Sequence, residues 1–230
     1  MRSTLLSLTV LMFTTAAMAG VTETNTERFT YTLIGLDNTS AGPTQNDGPS
    51  IYGNFTDAQI VHKDDGPDSA DANASQNSNV APASYDADLD TFAFLDYSGF
   101  FGASTDATTE FNVAFTLDSS MDFSIDGLAE TTGSGSGVFI SIANVGAGGT
   151  PSQSIVNISL GNNNVTIDAD GTLLPGDYEL RARATAGFAF GPTGTTTAAT
   201  NFTMTLTPEP ASLALLAMGG LTILRRRRTN

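Results

Sequence analysis

Apolar side chains recur at every second position over most of this chain, and that rhythm restricts what it can fold into. Phe111, Val113, Phe115 and Leu117 alternate with Asn112, Ala114 and Thr116, and Met121, Phe123 and Ile125 alternate with Asp122, Ser124 and Asp126. The pattern returns at Phe29, Tyr31 and Leu33, at Val138, Ile140 and Ile142, and at Val156, Ile158 and Leu160. It returns again at Val165 and Ile167, at Tyr178, Leu180 and Ala182, and at Phe202, Met204 and Leu206. Successive side chains of a strand point to opposite faces, so each segment reads as a strand with one face in a core and one in water. Between them stand turn residues such as Gly133-Ser134-Gly135-Ser136-Gly137, Asp170-Gly171 and Pro175-Gly176. Short strands at this spacing predict an all-β domain, an antiparallel β-sandwich of jelly-roll-like type.

One stretch breaks the rhythm. From Asp37 to about Asp90 the chain is rich in Asp, Asn, Ser, Gly and Pro, with one short strand candidate at Asn54–His62. Asp64–Val80 offers almost nothing to bury, so residues 37–90 are expected to be loop-rich.

Both ends read as processing segments rather than parts of the domain. Met1-Arg2 is a short positive region, Leu5–Phe13 is apolar, and Ala17-Met18-Ala19 places small residues where signal peptidase cuts, before Gly20. Residues 1–19 are thus an expected signal helix, too short to span a hydrocarbon core about 30 Å thick. At the other end Pro208-Glu209-Pro210 precedes 14 residues, Ala211–Leu224, followed by Arg225, Arg226, Arg227 and Arg228. The prolines stop a strand ladder, and the following segment would rise about 21 Å as a hydrophobic helix. Four arginines favour the cytoplasmic side, which puts the domain outside. One domain, residues 20–207, remains between signal and tail.

The tail at 208–230 resembles the PEP-CTERM sorting domain in all three parts: motif, apolar helix and basic end. The resemblance implies recognition at Pro208, Glu209 and Pro210 and a stop-transfer end at Arg225–Arg228. It implies an exosortase as processing partner, after signal peptidase and the export machinery. It also implies transient anchoring in the inner membrane of a Gram-negative-type bacterium, then the cell surface or extracellular matrix. Extracellular polysaccharide is the partner expected there.

Charge narrows the partners further. Without signal and tail, Arg28, Lys63, Arg181 and Arg183 face 23 acidic residues, a net charge of −19. Such a surface repels phosphate, so nucleic acid is not an expected partner, and it attracts cations. Cysteine is absent, which removes disulfides and thiol chemistry.

No active site is expected. His62 is the sole histidine and no serine sits in a G-x-S-x-G setting. Tryptophan is absent, so a common sugar platform is missing from any glycosidase arrangement of the acids. The candidate metal ligands are Asp86, Asp88 and Asp90, for Ca²⁺, although Thr91 and Tyr97 stand where an EF-hand loop needs glycine and glutamate. Asp168 and Asp170 are a weaker pair. Six N-x-[ST] sequons, headed by Asn38, Asn54, Asn73, Asn157, Asn164 and Asn201, follow from an Asn- and Thr-rich composition. The resulting expectation is a non-catalytic, polysaccharide-associated surface protein with no cofactor beyond Ca²⁺. The alternatives are a carbohydrate-binding module with a defined sugar site and, behind it, a glycoside hydrolase.

Overall fold

The computed structural model describes residues 20–36, 39–47, 52–98, 103–145, 151–161, 163–189 and 193–208. The expected signal helix with Ala17 and Ala19, the expected tail helix, Glu209, Pro210 and Arg225–Arg228 lie outside the described residues.

Among the described residues, twelve strands make two six-stranded sheets. In chain order they are β1 (Val21–Leu36), β2 (Thr39–Asp47), β3 (Gly53–Asp65), β4 (Asp68–Ala81), β5 (Ser84–Asp96) and β6 (Ser104–Leu117). There follow β7 (Met121–Thr132), β8 (Ser136–Val145), β9 (Pro151–Leu160), β10 (Asn164–Leu173), β11 (Gly176–Ala189) and β12 (Gly194–Pro208). The first sheet runs β2-β1-β6-β11-β8-β9 and the second β10-β7-β12-β5-β4-β3. All paired strands are antiparallel. From β5 onward the pairing is nested: β5 with β12, β6 with β11, β7 with β10 and β8 with β9. β1 and β2 extend the first sheet beyond β6, and β3 and β4 extend the second beyond β5.

The sheets bury their inner faces against each other. The larger apolar cluster takes Phe111, Val113, Phe115 and Leu117 from β6, Met121, Phe123 and Ile125 from β7, and Phe202, Met204 and Leu206 from β12. The alternation read from the sequence sets these faces. Phe115 packs at 5.5 Å from Tyr85 and 5.7 Å from Tyr178, ring centre to ring centre. A second cluster, Ile34, Leu36, Ala70, Ala72, Ala74, Leu95, Ala103 and Ala107, is built mostly from small side chains.

Two expectations are corrected here. Residues 37–90 are not loop-rich: β2, β3, β4 and most of β5 occupy them. In β4 the buried positions are Asp68, Ala70, Ala72, Ala74, Gln76, Ser78 and Val80, a period of two carried by alanine and polar residues. Because alanine and polar side chains carry the period, the strand shows no apolar run. The turns on either side are tight: Asp65 pairs with Asp68 around Gly66-Pro67, with Gly66 at φ +64°.

The second correction concerns β1. Its inner face is Thr26, Arg28, Thr30, Thr32, Ile34 and Leu36, while Phe29, Tyr31 and Leu33 are half-buried on the outside. A strand has one register per face, and Ile34 and Leu36 decide it by entering the second cluster. Polar side chains of the inner faces bond across the gap. Thr30 Oγ1 donates to Asp57, Arg28 Nη1 to the Gly53 carbonyl at 3.0 Å, and Thr109 Oγ1 to Gln76 Oε1 at 3.3 Å.

Candidate functional site

The outer face of the second sheet is lined with polar side chains. Cross-strand pairing sets them in rows. One row runs Asn54, Asn79, Asp86, Thr203, Asp126 and Asp168, and the next runs Thr56, Asn77, Asp88, Asn201, Leu128 and Thr166. Asn and Asp are poor strand formers, and here the burial of their Ala, Val, Tyr and Phe neighbours on the inner face holds them in strands.

These rows line a shallow groove of about 500 Å³. Ser78, Ala87 and Phe202 form its floor, their side chains turned into the core. Its walls are Asn54, Asn77, Asn79, Asp86, Asp88, Asp126, Asn201 and Thr203. Among the described residues no Lys, Arg or His lines it. The four amides can each donate and accept, and the three carboxylates accept only. Gly127 shapes the floor at β7, because any Cβ there would lie 2.1 Å from the Asn201 carbonyl oxygen.

Asp86, Asp88 and Asp90 all leave β5 on this face, as the sequence suggested. Alternate strand positions lie about 6.8 Å apart, so the three project in parallel rather than converging. Among the described residues no three His, Cys, Asp or Glu side chains come together to hold a metal ion. Loss of solvent around its carboxyl, and then the charge of Asp88, push the pKa of Asp90 above the usual carboxylate range. Asp168 faces Asp126 across the β7–β10 ladder, and Asp170 lies two residues on. Of this acidic set the groove takes Asp86 and Asp88, adds Asp126, and leaves out Asp90, Asp168 and Asp170.

Other polar clusters bond within the protein. On the outer face of the first sheet Arg181 Nη2 bonds Glu110 Oε1 at 2.8 Å, and Asn112 Nδ2 donates to Glu179 Oε1 at 2.6 Å. Exposed His62 lies between two carboxylates, Asp71 at 2.6 Å from Nδ1 and Asp64 at 3.0 Å from Nε2. Both ring nitrogens are thus engaged by acids and neither by a hydroxyl nucleophile.

Sequence reasoning missed Asn54, Asn77, Asn79, Asp126, Asn201 and Thr203. The available signal was the two-residue spacing of Asn77 with Asn79, and of Asn201 with Thr203, beside that of Asp86 with Asp88. It was hidden because Asn77 and Asn79 fall in the stretch expected to be loop.

The two processing ends meet the folded body closely. β1 starts at Val21, directly after the expected cleavage position, and the Gly20 carbonyl accepts from the Asp118 amide at 3.0 Å. β12 stays paired with β7 as far as Pro208, opposite Met121, and the ladder stops at that proline. Residues 206–228 match the family model described as the PEP-CTERM protein-sorting motif. This tail is a PEP-CTERM sorting motif. The PEP-CTERM motif makes the chain a substrate for exosortase and directs it, through export, toward the cell surface.

No curated protein matches the chain. Among solved structures it is similar to that of the infectious bursal disease virus Gx strain, at 10% identity and TM-score 0.27, over 80% of this chain and 57% of that one. A second similarity is to the VP2 subviral particle of infectious bursal disease virus, at 11% identity and TM-score 0.18, over 91% of this chain and 72% of that one. The chain therefore spans a little over half of the first of these.

Proposed function

We propose that this is a non-catalytic protein of the cell surface or extracellular matrix of a Gram-negative-type bacterium, associated with extracellular polysaccharide. The observation that carries the proposal is the PEP-CTERM motif at residues 206–228, whose first three residues, Leu206 to Pro208, are the last paired residues of β12. Pro208 is the last paired residue and cannot carry the ladder on, so the sequence a processing enzyme would read starts where strand pairing stops. Signal peptidase removes residues 1–19, Arg225–Arg228 hold the tail in the inner membrane during transit, and exosortase then frees the domain.

A jelly roll is the topology proposed for the domain. The nested pairing of β5–β12, β6–β11, β7–β10 and β8–β9, split between two sheets, supports it. The acidic surface meets its polymer through cations held along the outer face of the second sheet, since Asp86, Asp88 and Asp90 project in parallel and do not enclose a single Ca²⁺. The groove favours a second reading, a carbohydrate-binding module with a defined sugar site.

Co-sedimentation with the producer's extracellular polysaccharide, with calcium and with EDTA, tests the association. Binding that EDTA abolishes assigns the contact to a divalent bridge, and binding indifferent to EDTA assigns it to a sugar site. Absence from the pellet in both conditions overturns the polysaccharide reading. Deleting Arg225–Arg228 tests the sorting step: processing should fail, and unchanged processing would remove the anchor from the scheme.

A further inference from the structure

Resting on the polysaccharide association above, we propose that the groove on the second sheet is its binding site and takes a glycan bearing free ammonium groups. The ligand class is an amino-sugar polymer from which part of the N-acetyl groups has been removed.

Charge selects this class. The groove holds Asp86, Asp88 and Asp126 with no basic side chain in its lining. Elsewhere Glu110 is paired with Arg181, and Asp64 and Asp71 with His62. An anionic glycan would add like charge to the groove, and a nucleic acid more of it.

Geometry decides between a metal and an ammonium as the counter-charge. Calcium gathers six to eight oxygens at about 2.3–2.6 Å, which requires carboxylates that converge on one point. Asp86 and Asp88 project in parallel at about 6.8 Å, and Asp126 lies two strands away at about 10 Å. Carboxylates separated in this way suit single charges that are themselves spaced along a polymer. Each ammonium has three donors and is satisfied by one carboxylate with one or two amide oxygens. Asn54, Asn77, Asn79 and Asn201 supply those, and their NH₂ groups donate to ring hydroxyls and to the remaining N-acetyl carbonyls.

The face continues beyond the groove in a way that fits a chain rather than a single sugar. Along β5 the outward positions after Asp90 are Phe92 and Phe94, both half-buried. Asn73 pairs with Phe92 on one side and with Ile60, 72% exposed, on the other. These side chains offer an apolar floor for the C–H face of a pyranose and a ring face for a further ammonium.

The test measures binding of the purified protein to a partly deacetylated glucosamine oligomer and to its fully acetylated counterpart, at physiological salt with EDTA present. The deacetylated oligomer should bind and the acetylated one should bind about tenfold or more weakly. Asp88→Asn with Asp126→Asn should weaken binding by about the same factor, while Asp65→Asn with Asp118→Asn, an equal charge change on exposed turns, should leave it unchanged. Asn201→Lys, which sets a cation in the groove at an exposed position, should abolish it. Equal losses in the two double variants would reduce the effect to bulk charge and overturn the proposal. Equal binding of both oligomers, or the release of new reducing ends, would overturn it as well. Binding to the producer's polysaccharide that survives Asp88→Asn with Asp126→Asn would sink the groove while leaving the polysaccharide association standing.

Discussion

Glu23 of β1 and Tyr85 of β5 belong to facing sheets, and the Tyr85 hydroxyl donates to Glu23 Oε1 at 3.2 Å. The same carboxylate accepts from the Tyr52 hydroxyl and from the Ala83 amide at 3.2 Å. Ala83 has φ +59°, a conformation that costs a residue with a Cβ, and the Glu23 contact holds its amide while the Leu206 amide holds its carbonyl. Glu23→Ala leaves the fully buried Tyr85 hydroxyl without an acceptor, at about 1–3 kcal/mol, and loses the Ala83 contact besides. The melting temperature should fall by roughly 5–10 °C. Tyr85→Phe removes donor without stranding the carboxylate and should cost only about 1 kcal/mol. Thermal unfolding followed by circular dichroism checks the order; Tyr85→Phe costing more than Glu23→Ala would refute this account.

The same cluster predicts an alkaline limit. The hydrogen bond to Glu23 pushes the Tyr52 pKa up to about 12, and burial followed by the Glu23 charge pushes Tyr85 up further. A folded pKa raised above the unfolded value of 10 means that the native state keeps its proton longer. The stabilisation is complete below pH 10 and is lost as pH rises through about 12. In a tyrosinate absorbance titration Tyr52 and Tyr85 should ionise above the ordinary tyrosine range, Tyr85 after Tyr52. Glu23→Gln should bring Tyr52 back toward its ordinary value.

His62 gives a second pH signature, this one on the surface. Its hydrogen bond to Asp71, then that to Asp64, raises its pKa above 6.5. The contribution to the β3–β4 hairpin is present below pH 6.5 and fades as pH rises through the raised value. As the sole histidine it can be followed directly by NMR. Asp71→Asn should lower the midpoint more than Asp64→Asn, and the reverse order would contradict the geometry.

How far the sequence discloses the fold depends on which side chains carry the alternation. In β6, β7 and β12 the inner face is Phe, Val, Ile, Leu and Met, and the strands and their buried faces are legible at sight. In β4 the inner face is Ala, Gln and Ser, whose hydrophobic contrast with the Asp and Asn outside is too small to register, although the period is the same. In β1 both faces are plausible cores, since Phe29, Tyr31 and Leu33 compete with Ile34 and Leu36. Only the facing sheet decides between them. The sorting tail is legible because it is read in order along the chain. The groove is assembled from five strands, β3, β4, β5, β7 and β12, and only its Asp86 and Asp88 stand out locally.

Gly127 ties the fold to that groove. A Cβ at this position would meet the Asn201 carbonyl oxygen at 2.1 Å and Phe202 Cα at 2.8 Å. Both are β12 backbone atoms, so no rotamer change relieves the clash and the strand itself must shift. Gly127→Ala should cost about 1–3 kcal/mol, seen as a lowered urea midpoint with an unchanged slope. Asn201 and Thr203 ride on the displaced segment, so oligosaccharide binding should weaken in the same variant at temperatures where it is still folded. Gly161→Ala, where the nearest atom is Ser136 O at 3.9 Å, serves as the control and should change neither property. If Gly127→Ala lowers stability and leaves binding intact, the groove walls at β12 are not part of the site.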